Sequence, residues 1–312
     1  STPIKSSAAS DVYKRQIYAN MGEMDNKGVD ANLEYQTRIG NKVGLRLFGN
    51  LTYSKNKIVF RDEPAMQYAY QKSEGTRYGE FYGYIAEGYF QSEEEIKKSP
   101  RQMRELAPGD IKYKDLNDDG VIDANDQCYL GKSWFPSWSY GMGFNINYHN
   151  FDLALFFQGV SDVSIMANGG SIDTGNGDWG ASGVGIVPFT GMGLNPSNVI
   201  TKALDRWTAD NPRADAWYPR MTANATTNDN NYVNSTHWLK DGSYLRLKQA
   251  SLGYTLENKK LMDKGIEYLY FYLSGQNLLT FSKFKLWDPE LGSNGAKYPL
   301  SRMVTLGMRV SF

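Results

Sequence analysis

Apolar and polar side chains alternate with a period of two along several stretches of the chain. In residues 28–39, Val29, Ala31, Leu33, Tyr35 and Ile39 share one face, and Asp30, Asn32, Glu34, Gln36 and Arg38 share the other. Successive side chains of a strand point to opposite sides, so this is a strand with one apolar and one polar face. A connection at Gly40 and Asn41 leads into Val43, Leu45, Leu47, Leu51 and Tyr53, set against Arg46, Asn50, Thr52 and Ser54, which predicts a tight hairpin. A second pair is predicted from Trp138, Tyr140, Met142, Phe144, Ile146 and Tyr148, turning near His149 and Asn150 and returning through Phe151, Leu153, Leu155 and Phe157. Residues 244–256, 266–279 and 304–312 complete seven strands.

These runs are about 9 to 14 residues long, against the roughly 9 to 11 that a tilted strand needs to cross hydrocarbon and the usual mode of about 5 to 6. A large soluble sandwich also alternates, so the connections decide between the two. They are short at 40–41, 149–150 and 257–264 and long at 57–137 and 161–242, with residues 81–90 as a strand-like ribbon inside the first long one. Short and long connections therefore alternate, as they do between the periplasmic and extracellular sides of a bacterial outer-membrane barrel. The expected fold is all-β: a partial transmembrane antiparallel barrel of about seven spanning strands with long extracellular loops. Such barrels normally close with an even number of strands, so the odd count implies further wall on the N-terminal side. By apolarity, Val29, Leu33, Leu47, Phe144, Leu155 and Leu306 are expected to face lipid, and Asn50, Asn145 and Arg309 the lumen.

Composition narrows the chemistry. Among 312 residues there are 22 Tyr, 14 Phe, 7 Trp and 31 Gly, a mixture that favours strands. No apolar stretch is long enough for a membrane helix, a test that strands escape because their lumen-facing residues dilute the average hydropathy. Lys plus Arg and Asp plus Glu number 34 each, so net charge gives no reason to expect nucleic acid. One cysteine, Cys128, and two histidines, His149 and His237, leave no disulfide framework and little for a zinc site.

Residues 115–126 match the spacing of a calcium loop. Asp115, Asn117, Asp119 and Asp123 supply side-chain oxygens at positions 1, 3, 5 and 9, Val121 a carbonyl at 7, and Gly120 the sharp turn at 6. Asp126 stands at position 12, where a longer bidentate Glu is usual. The oxygen-only set suits structural Ca²⁺ that staples the long loop; an Asx-rich turn that binds nothing has the same composition. Tyr68, Tyr70, Trp134, Trp179, Trp207, Trp217 and Trp238, with residues 228–231 rich in Asn, give the loops the aromatic faces and amides that suit sugars or peptides, although loop packing and an interfacial girdle account better for any single one of these aromatics. Val199, Ile200, Ala203, Leu204 and Trp207 predict a short amphipathic helix over 197–210. Glu93 to Glu95 beside Lys97 and Lys98 read as a solvated helical turn. No nucleophile elbow, HExxH or P-loop motif is present, and no catalytic residue is assigned.

Several separated segments carry a family resemblance. Asn26 to Asp30 (NKGVD), Gly109 to Asp115 (GDIKYKD) running into the calcium-like loop, Trp207 to Arg220 (WTADNPRADAWYPR), Tyr244 to Lys248 (YLRLK) and Gly275 to Leu278 (GQNL) together resemble the C-terminal barrel part of SusC/RagA-type TonB-linked outer-membrane transporters. The resemblance covers residues 17–312. It implies a full barrel of about 22 strands with a plugged lumen, contact with the TonB complex through the part N-terminal to these residues, and import of glycan or peptide oligomers. It also implies a SusD-like lipoprotein over the loops at 57–137, 161–242 and 280–299. Residues 1–16 fall outside it; Ser6 to Gln16 resembles a translated sequencing adapter and lacks the apolar core of a signal peptide. The competing expectation is a secreted or surface β-protein that binds glycans without transport, whose apolar strand face would pack on a second sheet.

Overall fold

The computed structural model describes residues 22–40, 42–168, 201–221, 230–293, 295 and 298–312. The leader reading for 1–16, Trp179, Asn228 and Asp229 lie outside the described residues. In chain order the strands are β1 (Gly22–Ile39), β2 (Val43–Arg61), β3 (Glu80–Gly83), β4 (Ala86–Tyr89), β5 (Ile111–Tyr113), β6 (Cys128–Ser133), β7 (Trp138–Tyr148), β8 (Phe151–Ser161), β9 (Ser164–Met166), β10 (Leu239–Asp241), β11 (Tyr244–Leu256), β12 (Tyr268–Ser282) and β13 (Met303–Ser311). Two short helices, α1 (Glu93–Lys98) and α2 (Lys259–Met262), accompany them.

The seven long strands form one antiparallel sheet in the order β1-β2-β7-β8-β11-β12-β13. These are the seven runs that alternate in the sequence, each beside its expected hairpin partner. Among the described residues β1 and β13 each have one neighbour, so the sheet is a length of barrel wall with two open edges. Register carries the alternation across the strands. Leu33 lies opposite Gly49, Leu47 opposite both Tyr35 and Phe144, Phe144 opposite Leu155, and Leu306 opposite Leu273, all on one face. Asn50, Asn145 and Arg309 fall on the other, opposite Asn32, Ala154 and Tyr270 respectively.

The apolar face is exposed: Leu33 retains 76 % and Leu306 80 % of its accessible surface. Among the described residues no second sheet covers it, since the three further sheets are two-stranded and are built from loop segments. Opposing lipid-parity positions from Val43 to Tyr53 extend about 33 Å along β2, or about 25 Å once tilted, which is the height of a hydrocarbon belt.

The buried core sits instead in the long connections. Phe81, Tyr84, Tyr89, Ile111, Tyr113, Trp207, Tyr218 and Trp238 pack together although more than a hundred residues separate the first from the last. The expected ribbon at 81–90 is present as β3 and β4, which pair with β6 and β5. Several boundaries differ from the sequence reading. Strand β1 starts at Gly22 and β2 continues to Arg61 because the two pair with each other to the end, Gly22 opposite Arg61. The loop also folds back on that end, where Ile58 donates its N–H to Thr76, accepts from Gly75 and buries its side chain. The connection at 257–264 carries α2, capped by Asn258. In place of an amphipathic helix over 197–210, the described part holds one 3-10 turn at Thr201–Leu204, with Ala203 buried and Leu204 exposed. That turn is followed by Arg206 and Trp207 in extended pairing with Tyr218, a stronger arrangement for Trp207, which it buries. The turn at Glu93 to Lys98 forms as α1, with Ser92 accepting the Glu95 N–H as N-cap, acids in its first turn and lysines in its last.

Candidate functional site

Two regions concentrate polar chemistry: the body made by the long loops, and the polar face of the sheet beneath it. In the loop body a short strand lacks a full set of sheet neighbours, and side chains substitute for them. Asn231 Oδ1 accepts the Ile111 N–H at 2.9 Å, Asn230 Nδ2 donates to the Ile111 carbonyl at 3.0 Å, and Gln102 Oε1 accepts the Tyr113 N–H at 2.7 Å. The Tyr113 hydroxyl in turn donates to the Asn230 carbonyl at 2.7 Å. Asn230 and Asn231 are fully buried. The sequence reading offered these amides to cargo; the structure assigns them to the backbone of β5, where unmade hydrogen bonds would be costly.

The motif segments meet at this point. Asp110, 1 % exposed, accepts two hydrogen bonds from Arg220, Nε at 3.0 Å and Nη2 at 2.9 Å, and one from Asn231 Nδ2 at 2.8 Å. Gly109 has φ +92°, and an added Cβ would fall 2.2 Å from the Trp207 ring, so both backbone and space require glycine there. Two of the segments quoted for the resemblance are thus joined by one bidentate ion pair, between Asp110 near the start of the first and Arg220 at the end of the second. Sequence reasoning named both segments without a role; nothing in their spacing signals that Asp110 and Arg220 touch.

Trp238 closes the same body. It is fully buried, donates Nε1–H to the Asn231 carbonyl at 2.7 Å, stacks on Tyr232 and meets Trp217 and Tyr218 edge-on. Trp207 and Trp238 are therefore packing, while Trp134 stays on the surface, tilted against Phe135, which stacks on Tyr78 to form an aromatic shelf. His237 lies edge-on to Trp238, its Nε2 3.2 Å from the Trp217 carbonyl and 3.3 Å from the Tyr89 hydroxyl. Burial, reinforced by the Lys240 ammonium, holds its pKa down to about 4. Unfolded, the imidazole returns to about 6.5, so the unfolded chain binds more protons below that pH. Stability of the loop body is expected to fall as pH drops from about 6.5 to about 4, by on the order of 3 kcal/mol. Urea unfolding at pH 7.5, 5.5 and 4 checks this: His237→Gln should flatten that part of the slope, and an unchanged slope would remove His237 from the account.

The calcium-like loop is ordered by its own backbone. Asp115 accepts from the N–H groups of Asp118 at 2.7 Å and Gly120 at 2.8 Å, Asn117 from Asp119 at 3.1 Å, Asp119 from Val121 at 2.9 Å, and Asp123 from Asn125 at 2.7 Å. Gly120 has φ +80°, the turn that position 6 demands. Asp126 is fully buried and holds the loop's two ends, accepting the Leu116 and Asp123 N–H groups at 2.8 Å each. Among the described residues no group of three or more His, Cys, Asp or Glu side chains is gathered closely enough to hold a metal ion. Tyr68 and Tyr70 stack at 5.2 Å against the loop, Tyr68 accepting from Asn117 and Tyr70 donating to the Asn125 carbonyl. Burial and the Asp126 carboxylate push the Tyr70 phenol up to about 12.

On the polar face of the sheet, toward the short turns, Asn145, Asn147, Asp152, Thr255, Tyr270 and Arg309 line an open cleft. The Tyr270 hydroxyl donates to Asp152 at 3.0 Å, and the Arg309 guanidinium lies 5.7 Å from the Tyr270 ring. Amide, carboxylate, phenol and guanidinium together can exchange hydrogen bonds with a polar oligomer in place of water. Alternation alone places Asn145, Asn147, Asp152 and Arg309 on the polar face; Tyr270 joins the group only once register sets the strands side by side.

No family model matches the chain. Among curated proteins it is similar to TonB-dependent receptor P3 of Formosa agariphila, 26 % identical over 94 % of this chain and 29 % of the relative. It is also similar to TonB-dependent receptor P26 of the same organism, 28 % identical over 94 % of this chain and 30 % of the relative. The chain thus spans about three tenths of the length of these relatives. Among solved structures it is similar to the RagAB peptide transporter, with a TM-score of 0.66 and 20 % identity over 95 % of this chain and 30 % of that one. The RagAB peptide importer in its open-open state gives a TM-score of 0.64 and 22 % identity over 93 % of this chain and 29 % of that one. At such identities the structural likeness establishes the fold, an antiparallel barrel wall.

Proposed function

We propose that this chain, a homologue of TonB-dependent receptors along 94 % of its length, is C-terminal wall and loop body of a bacterial outer-membrane importer. The observation that carries the reading is the inverted distribution of polarity: an exposed apolar sheet face, a polar opposite face, and a buried core that lies mainly in the long loops. A water-soluble sheet would bury its apolar face, whereas a wall in lipid presents it outward and lets the lumen side solvate cargo. The cargo class is an oligomeric glycan or peptide, admitted past the aromatic shelf and the polar cleft with a SusD-like lipoprotein over the loops and energy supplied through the TonB complex. The peptide alternative draws support from the RagAB neighbours, which are described as peptide transporters.

The test is uptake. Cells carrying a gene for the whole transporter that includes these residues should accumulate fluorescent oligopeptides or oligosaccharides, lose uptake with a protonophore, and lose it when residues 57–137 are deleted. Accumulation of neither cargo class above the background of cells without the gene would sink the reading, and the class that accumulates fixes the substrate.

The loop at 115–126 is proposed to take structural Ca²⁺ through Asp115, Asn117, Asp119, the Val121 carbonyl, Asp123 and Asp126. Its support is the spacing and the sharp turn at Gly120. Added Ca²⁺ is expected to raise the melting temperature of the chain by several degrees relative to EDTA, through binding to the folded state alone. Asp119→Asn should abolish that rise; equal melting with and without Ca²⁺ would leave the loop as a metal-free Asx turn.

A further inference from the structure

We propose that Lys27, Lys55 and Lys57 form a docking surface for the phosphate-bearing headgroup of an anionic lipid at the long-loop rim of the apolar belt. The inference rests on the reading of the chain as a membrane wall and names what that wall binds at its rim. Register places Val29 opposite Tyr53, Lys27 opposite Lys55 and Asp25 opposite Lys57, all with the parity of the apolar face. Tyr53 pairs in turn with Trp138, the two rings 4.4 Å apart. Aromatic rings of this kind mark the boundary between hydrocarbon and headgroups, and Lys55 lies two residues, or about 7 Å of strand, beyond it.

Two like charges directly opposite each other are unfavourable in an antiparallel pair. On the polar face the same two strands avoid that conflict: Arg46 Nε meets Glu34 at 2.8 Å, Thr52 donates to Asp30 at 2.5 Å, and Ser54 donates to Asn26 at 2.9 Å. On the apolar face they do not. Lys27, Lys55 and Lys57 are all exposed, and no ion pair among the described residues engages them. Asp25 is the one carboxylate the register sets among the three ammonium groups, so the patch keeps a positive excess. A local rule broken without compensation among the described residues points to a partner. An anionic lipid satisfies both halves of the surface, with acyl chains on the apolar belt and phosphate between the lysines.

The experiment places a whole transporter that carries these 312 residues in zwitterionic detergent micelles and follows the anisotropy of a fluorescent lipid A analogue. Binding is expected, weakened about tenfold or more by Lys27→Gln with Lys55→Gln and by raising salt to about 0.5 M. Lys27→Arg with Lys55→Arg should retain binding, and so should Lys259→Gln with Lys260→Gln at the opposite end of the wall. Equal binding by the parent and the glutamine pair overturns the proposal, as does displacement of the lipid by stoichiometric inorganic phosphate, which would make this an ion site. A chain that never enters micelles overturns the wall reading itself; one that enters them and binds lipid without regard to the lysines overturns this inference alone.

Discussion

Asp110→Ala is expected to destabilise the loop body by about 3–5 kcal/mol, the range for breaking a buried ion pair by removing one partner. The aspartate is buried, and its carboxylate takes four hydrogen bonds: two from Arg220, one from Asn231 Nδ2 and one from the Ala107 N–H at 2.9 Å. Alanine would take away the nearer of two acceptors of the wholly buried Asn231 amide, leaving it only the Arg220 carbonyl at 3.4 Å. Arg220 keeps 27 % of its side-chain surface and can recover part of its hydration, which draws the expected cost toward the lower end of the range. Because Asn231 also pairs with Ile111 and accepts from Trp238, loosening it should release β5 and the aromatic cluster together. Urea unfolding of the chain in detergent, followed by tryptophan fluorescence, reports on this directly, since Trp207, Trp217 and Trp238 lie in that body. Asp110→Asn should cost less, as the amide retains one acceptor. A loss below about 1 kcal/mol for the alanine variant would mean that the pair behaves like an exposed one and that the body is held by apolar packing.

The strength of the sequence signal followed the range of the physics behind it. Strand faces were legible because alternation is local: Leu33, Leu47, Phe144, Leu155 and Leu306 each announce their side through immediate neighbours, and register then aligns them on one face. The far end of the β1–β2 hairpin was not, because its outer residues, Asp25 to Lys27 on one strand and Lys55 to Lys57 on the other, are polar on both faces. The core of the loop body was illegible as well. Tyr89, Trp207 and Trp238 come together only through tertiary folding, and no periodicity links them. The amides at Asn230 and Asn231 read as surface chemistry by residue type, since buried asparagine is unusual unless fully hydrogen-bonded. Here the hydrogen bonds are complete because a three-residue strand needed partners.

The exposed face of the sheet makes the sharpest demand on its surroundings. Leu155 sits in the middle of β8, opposite Phe144 on one side and Ala250 on the other, at mid-height of the apolar belt. In a bilayer, Leu155→Arg is expected to cost about 2–4 kcal/mol, the penalty for a cation at the midplane of a barrel's lipid face. Ala154→Arg, one residue away, points to the polar face opposite Asn145 and Ser251 and should cost far less, because its charge meets amide, hydroxyl and water. Equilibrium unfolding of the two variants in phosphatidylcholine vesicles gives the comparison. The sign of the contrast decides between environments. If the face is sheathed by lipid, the Leu155 variant is the damaged one in vesicles. If the sheet instead works in water, arginine at 155 would break up an exposed apolar patch and improve solubility without loss of stability. One position and its neighbour thus separate a membrane wall from a soluble sheet, because the period of two turns a shift of one residue into a change of solvent.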